Sequence, residues 1–419
     1  MAKPKAGTGW SGWPRTAILM LVVGWPGAAF GTDGIEPIDV STQARCRGGA
    51  DVAVGDSALS QIENPANLAH HHEYRLDFSA QATFPKCHWS SPVDSAASEV
   101  DVVPLGNLGL AVPVDDRLTL GLGLHSKAGL SSSYHLRHWL LPFFDRRVSS
   151  DLKDMSITGN VGYRLTDKLS IGAGLRAEVA TAEFNVVLGP AGVHLGRGYA
   201  YGMGFQTGLH YQAREDLAFG LAYRSPTWFT DMSGGSAKAS LFGLVPLDLG
   251  NVNLDEFRMP QKVTAGVAWD ATDWLKLVGE ARWIDYSSSS MNSVTVATDG
   301  WVDLRVPFPM GYRDQWVFIA GAEFALDERW TLGLGYNFCT ETVPASNLVP
   351  IGSVIAQHNM TVGLRYDTGT WWVGGGYILG FPITVRNDGP SRIPLGIDYG
   401  YSSFEHVQQS LFFGLGYRW

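Results

Sequence analysis

The stretch Val407-Gln408-Gln409-Ser410-Leu411-Phe412-Phe413-Gly414-Leu415-Gly416-Tyr417-Arg418-Trp419 decides the fold of this chain. From Gln409 onward every second residue is large and mostly apolar, ending in Tyr417 and Trp419, whereas most residues between them are small, polar or basic. Because side chains alternate between two faces in a β-strand, this segment is predicted to be a strand with one apolar face. A last strand with a bare edge is an aggregation hazard unless it pairs back onto the sheet. Pairing with the first strand would close a barrel whose apolar face points into lipid, so we predict an all-β transmembrane β-barrel.

The same alternation recurs along the chain and predicts fourteen antiparallel strands, an even number that places both ends on one side of the membrane. The predicted strands are Glu73–Phe84, Val100–Pro113, Arg117–Leu130, Asp151–Leu165, Leu169–Val187, Tyr199–Ala213, Leu217–Asp231, Met259–Asp270, Trp274–Tyr286, Arg313–Leu326, Trp330–Val343, Gln357–Asp367, Thr370–Arg386 and Phe404–Trp419. We interpret the weaker alternation of residues 291–306 as an ordered loop or an extension above the membrane.

The connections between these strands alternate in length. Short polar turns are predicted at 114–116, 166–168, 214–216, 271–273, 327–329 and 368–369, and long loops at 131–150, 232–258 and 287–312. Outer-membrane barrels have short periplasmic turns and long extracellular loops. The pattern therefore predicts a barrel in the bacterial outer membrane.

The N-terminal 72 residues divide into an export signal and a plug. Lys3, Lys5 and Arg15 flank the apolar run 17–23, which precedes small residues at 27–29, so residues 1–29 are predicted to be a signal peptide. Residues 30–72 do not alternate and carry short apolar pieces, which favours an N-terminal hatch inside the barrel formed by 73–419. The formal net charge of −9 argues against nucleic acid or anionic lipid as the main partner.

Cysteine and histidine residues do not indicate a metal site or a cofactor. The three cysteines cannot form a closed disulfide framework, although Cys46 and Cys87 remain candidates for a pair. His70, His71 and His72 are adjacent in sequence, and adjacent residues of an extended chain point apart rather than converging on one ion. We interpret these histidines as a solvated junction before the first strand.

Several phrases of the sequence resemble one family. The runs Arg47–Ala53 and Asn64–Leu68, the latter containing Asn64-Pro65-Ala66, look like the hatch of the FadL-type long-chain fatty-acid outer-membrane transporters. Further similar stretches are Gly220–Pro226, the hairpin from Pro260 to Tyr286, Arg313–Trp316 and Trp330–Tyr336. The resemblance covers nearly all of the chain after the signal peptide.

This resemblance implies a fourteen-stranded barrel that is plugged by the hatch and has no catalytic activity. It implies capture of fatty acids or related hydrocarbons at extracellular loops, an interior pocket, and exit through the wall at a kink in the third strand. The family's fatty-acid members carry a basic residue just before the tenth strand, but residues 306–310 here contain none. We expect a monomer in contact with outer-membrane lipid and lipopolysaccharide.

The loop from Arg137 to Arg147 is the candidate capture surface, because exposed apolar patches mark contact sites. Its candidate residues are Trp139, Leu141, Phe143, Phe144, Arg146 and Arg147. A second apolar loop, residues 241–247, supports this hypothesis. The alternative is a loop that folds onto the barrel mouth or binds lipopolysaccharide phosphates.

Candidate luminal residues follow from the parity of the third strand. Leu118, Leu120, Leu122 and Leu124 share one face, so His125 and Lys127 are assigned to the lumen. The same reasoning turns Arg176, Glu178, Glu280, Arg282 and Arg313 inward, where opposite charges either pair with one another or meet a ligand. We favour pairing for the set as a whole, and His125, Lys127 and Arg313 are the candidate ligand contacts.

The third strand is also the candidate lateral gate. Gly121, Gly123 and Gly129 are predicted to weaken its pairing and to permit a bulge or a kink.

Two other functions remain as alternatives. A general porin fits less well with a forty-residue plug, and no strand offers the serine and histidine pair that an outer-membrane lipid hydrolase needs.

Overall fold

The computed structural model describes residues 33–139, 141–242, 244–299 and 303–419, and the predicted signal peptide (1–29) lies outside these residues. The helices are α1 (Thr42–Cys46) and the 3₁₀ helices η1 (Ala58–Ile62), η2 (Pro65–His70), η3 (Tyr286–Ser288), η4 (Ala345–Asn347) and η5 (Ile397–Tyr399). The strands are β1 (Arg75–Ser90), β2 (Ser95–Ala97), β3 (Val103–Pro113), β4 (Leu118–His138), β5 (Leu141–Arg164), β6 (Leu169–Leu188), β7 (Ala191–Arg214), β8 (Leu217–Arg224), β9 (Thr227–Phe229), β10 (Met232–Leu241), β11 (Val245–Asp255), β12 (Arg258–Met259), β13 (Lys262–Thr272), β14 (Leu275–Ile284), β15 (Val294–Asp299), β16 (Asp303–Phe308), β17 (Gln315–Ala325), β18 (Trp330–Cys339), β19 (His358–Asp367), β20 (Trp371–Gly380), β21 (Ile383–Arg386) and β22 (Ser403–Arg418).

Fourteen of the described strands form a closed antiparallel wall. In order around the barrel they are β1, β3, β4, β5, β6, β7, β8, β13, β14, β17, β18, β19, β20 and β22. The last strand pairs with the first from Arg75↔Arg418 to Ser90↔Ser403, which closes the sheet. The predicted fourteen-stranded barrel is therefore confirmed.

The two faces of β22 differ as its alternation predicts. Leu411, Phe413 and Leu415 on the outer face are each about half exposed, whereas Ser410 and Phe412 face inward and are buried. This outward apolar band is the surface that a transmembrane barrel presents to lipid. No helix in the described part of the chain is long and apolar enough to cross a membrane.

The long connections contain more strand than the sequence predicts. The predicted loop at 131–150 is wrong, because β4 and β5 continue through it as one hairpin. Residues 232–258 similarly hold β10 and β11. Within and beside the segment 291–306, the described residues 294–299 and 303–308 form β15 and β16, and β15 pairs with β11 outside the fourteen-stranded wall. These strands extend beyond the fourteen-stranded wall because their side chains keep alternating between two faces there.

A one-residue bulge interrupts β4. Ser126 lies opposite Met155 and Ala128 lies opposite Asp154, so Lys127 is an extra residue in the ladder with β5. Because side chains alternate, an extra residue exchanges the faces of everything that follows it. Before the bulge the odd-numbered His125 is buried, and after it the even-numbered Tyr134 is.

Residues 33–71 form a plug inside this barrel and are almost entirely buried. The plug comprises α1, η1 and η2 with their connecting turns, and its short helices are capped by Ser41, Ser57 and Asn64. The predicted plugging of the lumen by an N-terminal segment is confirmed.

Candidate functional site

The Asn64-Pro65-Ala66 motif forms the corner that starts η2. The Asn64 side-chain oxygen accepts a hydrogen bond from the backbone amide of Ala66 (3.0 Å), and its amide nitrogen donates to the carbonyls of Val52 (2.7 Å) and Leu209 (3.0 Å). Pro65 occupies the first helical position, where a missing N–H costs nothing. Asn64 therefore caps a helix and ties the plug to the wall strand β7 at once.

Glycines of the wall make room for this corner. A Cβ atom on Gly172 would overlap the backbone of Pro65 and Ala66, and one on Gly208 would overlap the Asn64 side chain. Gly172 lies on β6 and Gly208 on β7, so the corner packs mainly on the fifth and sixth barrel strands.

Buried ion pairs join the plug to the wall. The Arg282 guanidinium of β14 lies 2.6 Å from the Asp33 carboxylate of the plug and 2.7 Å from that of Glu280. Arg47 of the plug contacts the carboxylates of Asp51 (2.7 Å) and Asp56 (2.9 Å) in the plug and Glu323 (3.0 Å) on β17. The predicted mutual pairing of luminal charges is confirmed at these positions.

Lys127, the bulged residue, is buried and engaged by protein groups. Its ammonium nitrogen donates to Glu178 (2.6 Å) and to the Thr227 hydroxyl (2.8 Å), and it lies 3.4 Å from Asp154. Arg176 also pairs with Glu178, at 2.9 Å. Lys127 thus lies in the lumen as predicted, but a ligand anion would have to compete with two carboxylates for it.

The other two candidate luminal contacts differ in position. His125 is buried in the lumen, and its Nδ1 atom has no hydrogen-bond partner among the described residues. The inward assignment of Arg313 is wrong: its side chain is exposed, because the strand begins two residues later, at Gln315. The parity of a strand does not extend to a residue that precedes it.

The three glycines of the third strand serve two different purposes. Gly121 and Gly123 keep regular register with both neighbouring strands, so the prediction that they weaken the pairing is wrong for them. A Cβ on Gly121 would meet the plug residues Gln61 and Leu68, which shows that these glycines admit the plug. Gly129 alone lies beside the bulge, and its backbone amide donates to the carbonyl of Ile35 at 3.0 Å.

The wall parts next to this bulge. Among the described residues, β3 and β4 pair from Pro113↔Thr119 to Asn107↔His125 and no farther. The Asn107 side chain covers the end of the ladder, accepting from the Ser126 amide (3.1 Å) and donating to the plug carbonyl of Val40 (3.0 Å). The candidate lateral opening therefore lies beyond His125, between β3 and the bulged part of β4.

A cavity of about 100 Å³ adjoins this opening on the luminal side. It is bounded by Gly34, Ile35 and Pro37 of the plug, the bulged part of β4, residues of the loop after β18 and the inner faces of β1, β3 and β22. Its polar lining includes Gln81, His406 and Gln408, which the sequence analysis did not single out. The inward parity of the first and last strands is the signal that points to them.

The candidate capture loop is the tip of the β4–β5 hairpin, and it contacts a loop that sequence reasoning missed. Trp139 is 50% exposed, and its amide donates to the Asp398 carboxylate (3.2 Å), which also lies 3.1 Å from His138 Nε2. Burial raises the pKa of Asp398, and the neighbouring His138 opposes that rise. Arg146 is half-buried and Arg147 exposed. The side chains of Leu141, Phe143 and Phe144 lie outside the described part of the structure.

Exposed apolar residues lie at this end of the barrel on the β4–β5 hairpin tip, which contacts the loop 387–402 through Trp139 and Asp398, and on the loops 241–247 and 387–402. The Leu395 carbonyl accepts from the Gly189 amide (2.7 Å), and the Pro190 carbonyl accepts from Phe242 (2.8 Å), which links the loops at 189–191, 241–247 and 387–402. The exposed side chains are those of Trp139, Phe242, Leu244, Leu395, Ile397 and Tyr401. We call this set the apolar rim.

The cysteines and histidines that drew attention in the sequence are structural. Cys46 and Cys87 are buried thiols that are not joined to each other. His70 packs on His210 with ring centroids 4.0 Å apart, His71 is buried near the Ser57 carbonyl, and His72 is exposed. The interpretation of a fully solvated junction is therefore wrong for His71, which belongs to the plug.

Comparison with known proteins places this architecture among characterised barrels. The family described as "Outer membrane protein transport protein (OMPP1/FadL/TodX)" matches residues 34–368. Outer membrane protein P1 of Haemophilus influenzae is 23% identical over 86% of this chain and 89% of its own length. The long-chain fatty acid transport protein of Escherichia coli K12 is 22% identical over 70% of this chain and 75% of its own.

Solved structures share the fold. The toluene transporter TodX of P. putida superposes with a TM-score of 0.78 at 18% identity, covering 92% of this chain and 98% of that one. The toluene transporter TbuX of Ralstonia pickettii gives a TM-score of 0.75 at 20% identity, covering 92% and 99% of the two chains.

Proposed function

The chain belongs to the OMPP1/FadL/TodX family of outer membrane transport proteins, and we propose that it takes up small hydrophobic molecules through its own wall. In this proposal, fatty acids or hydrocarbons are captured at the loops, bound inside the lumen and released sideways into the membrane. The barrel lies in the bacterial outer membrane, as its relatives do. We further propose that residues 1–29 are removed on export, that 30–72 act as a hatch and 73–419 as a monomeric barrel.

One observation carries the lateral route: the plug fills the lumen while the wall parts between β3 and β4. A straight path along the barrel axis would have to displace buried ion pairs such as Arg282 with Asp33. Beside the bulge, neutral hydrogen bonds hold the plug to the wall: the Gly129 amide donates to the Ile35 carbonyl, and the Asn107 side chain donates to the Val40 carbonyl. Breaking one neutral hydrogen bond costs about 0.5–1.5 kcal/mol, far less than leaving a buried charge unpaired.

The apolar rim supports capture at the outer end. Its side chains are exposed on loops that are joined by backbone hydrogen bonds, so they form a patch rather than scattered residues. Large exposed apolar patches mark interaction sites. Membrane lipid and lipopolysaccharide would surround the barrel below this rim.

The names of the relatives offer two substrate classes, long-chain fatty acids and toluene. Both are hydrophobic, and both fit capture by an apolar surface. The absence of a basic residue from positions 306–310 favours the uncharged class.

The lateral route is tested by locking the plug to the bulge. The Gly129 amide and the Ile35 carbonyl are 3.0 Å apart, so the two backbones lie close enough for a disulfide between these positions to be tested. Ile35→Cys with Gly129→Cys, made in a chain whose Cys46 and Cys87 are changed to alanine, should stop uptake of labelled toluene and labelled oleate by oxidised cells. A reductant should restore it.

The matched control is Gly129→Cys alone in the same background, which cannot form the lock. Uptake by the oxidised double variant at the rate of this control would refute the lateral route. Absence of uptake by every chain, including the unmodified one, would refute the transport proposal itself.

A further inference from the structure

The cavity beside the β4 bulge holds buried polar atoms that have no protein partner. Gln81 Oε1, His406 Nε2 and Gln408 Nε2 make no hydrogen bond among the described residues, although the three residues are only 4%, 7% and 5% exposed. All three residues line the cavity. Buried polar atoms are nearly always hydrogen-bonded, so three such atoms around one cavity indicate a ligand group that is absent from the structure.

Neighbouring contacts fix two of these atoms in place. The Gln81 amide nitrogen donates to the hydroxyls of Thr83 (2.8 Å) and Ser410 (3.2 Å), which leaves its oxygen available. The Nδ1 atom of His406 lies 3.3 Å from the Cys87 sulfur, which leaves Nε2 available. The cavity therefore offers an acceptor from Gln81, a donor from Gln408 and an imidazole nitrogen that serves in either role.

The rest of the lining is apolar or uncharged. Ile35, Val103, Leu105 and Phe404 contribute apolar surface, and no aspartate, glutamate, lysine or arginine lines the cavity within the described residues. Lys127 lies between the lining residues Ser126 and Ala128 in the sequence, but its ammonium is directed to Glu178 and Thr227. A carboxylate placed here would be desolvated without a cation to offset the cost.

We propose that this cavity selects an uncharged, ring-sized hydrophobe that bears one hydrogen-bonding group, such as a phenol. This rests on the proposed uptake function and names its substrate class. The volume of about 100 Å³ is of the order of the ~150 Å³ cavity that accommodates benzene. A phenolic hydroxyl pairs with one of these groups by accepting from Gln408 Nε2, which lies four positions along the ladder from Gln81, whereas a plain hydrocarbon leaves that donor unpartnered and a carboxylate remains uncompensated.

Three probes with one ring and one methyl group separate these cases: p-cresol, toluene and p-toluate. Their binding to the full mature chain in lipid nanodiscs is measured by titration calorimetry at neutral pH. We expect p-cresol to bind about tenfold more tightly than toluene, the gain from one or two neutral hydrogen bonds, and p-toluate to bind most weakly.

A pair of variants on the last strand tests the assignment. Gln408→Leu removes the inward donor at similar volume and should weaken p-cresol about fivefold while leaving toluene unchanged or tighter. Gln409→Leu, on the opposite face of the same strand, should change neither. Heat-modifiable migration on gels verifies that each variant is folded.

The contrary outcomes are distinct. Toluene binding as tightly as p-cresol would show that ordered water satisfies the polar atoms, overturning this inference but not hydrophobe uptake. Tightest binding by p-toluate would overturn it in favour of an anionic ligand. No binding by any probe would overturn it too, while the uptake of toluene and oleate in the locking experiment would still decide the transport function separately.

Discussion

Replacing one wall glycine should unseat the plug. Gly172 faces the corner formed by Asn64, Pro65 and Ala66, and a Cβ atom there would overlap the backbone of Pro65 and Ala66. Backbone cannot rotate away as a flexible side chain does, so Gly172→Val forces the corner to leave its seat. The ladders on either side of Gly172 have no need to change, because strands accept valine readily.

Overpacking of this kind costs about 1–3 kcal/mol. If that energy is lost only from the seated plug, the displaced state becomes about 5- to 140-fold more populated, at about 1.4 kcal/mol for each factor of ten. The assay is single-channel conductance of the pure protein in planar bilayers, since a displaced plug leaves a water-filled path. We expect frequent openings in Gly172→Val that the unmodified chain rarely shows.

Gly159→Val is the matched control. Gly159 lies on the adjacent strand β5, faces outward and has no heavy atom within 4 Å of an added Cβ. A valine there adds the same volume to the wall without touching the plug. Equal conductance of the two variants, with both barrels folded, would refute the idea that wall glycines form the seat of the plug.

Three further predictions follow from the site. Arg282→Met leaves the carboxylates of Asp33 and Glu280 without their cation and should cost about 3–5 kcal/mol, seen as a lower thermal unfolding midpoint, whereas Arg282→Lys should lose less; an unchanged midpoint for both would contradict the pairing. Trp139→Ser removes exposed apolar area from the apolar rim and should slow uptake of labelled toluene at limiting but not at saturating concentration. If the variant and the unmodified chain take up toluene equally at every concentration, Trp139 has no role in capture. An epitope tag after Asp388 should be accessible on intact cells and one after Asp167 should not, and the reverse labelling would invert the topology.

The wall of this barrel could be predicted from sequence because each strand carries its own evidence. The alternation from Leu411 to Leu415 identifies the lipid face directly, and short polar turns such as that at 166–168 mark one end of the barrel. The inward charges were found in the same way. Arg282 and Glu280 share a parity that no lipid-facing pair of charges could tolerate.

What sequence could not show depends on relations between strands. The bulge at Lys127 exchanges the inward and outward faces of the rest of β4, and no local sequence pattern predicts this shift in the pairing with β5. The continuation of β4 and β5 past the wall was also missed, because a loop and an extended hairpin both tolerate mixed composition. The polar cavity was invisible for a further reason: Gln81 and Gln408 are 327 residues apart in sequence and line one cavity only because the barrel closes.

The charge complementarity between plug and wall bears on how the protein is assembled. The segment 33–72 carries six acidic and two basic residues, and basic partners such as Arg224, Lys262 and Arg282 project from β8, β13 and β14. Before the plug is buried, we expect the net negative charge of this segment to be repelled by anionic lipid headgroups. The newly formed lumen is the place where its charges find partners. We therefore expect burial of the plug to follow wall formation, and its rate to fall as ionic strength screens the attraction.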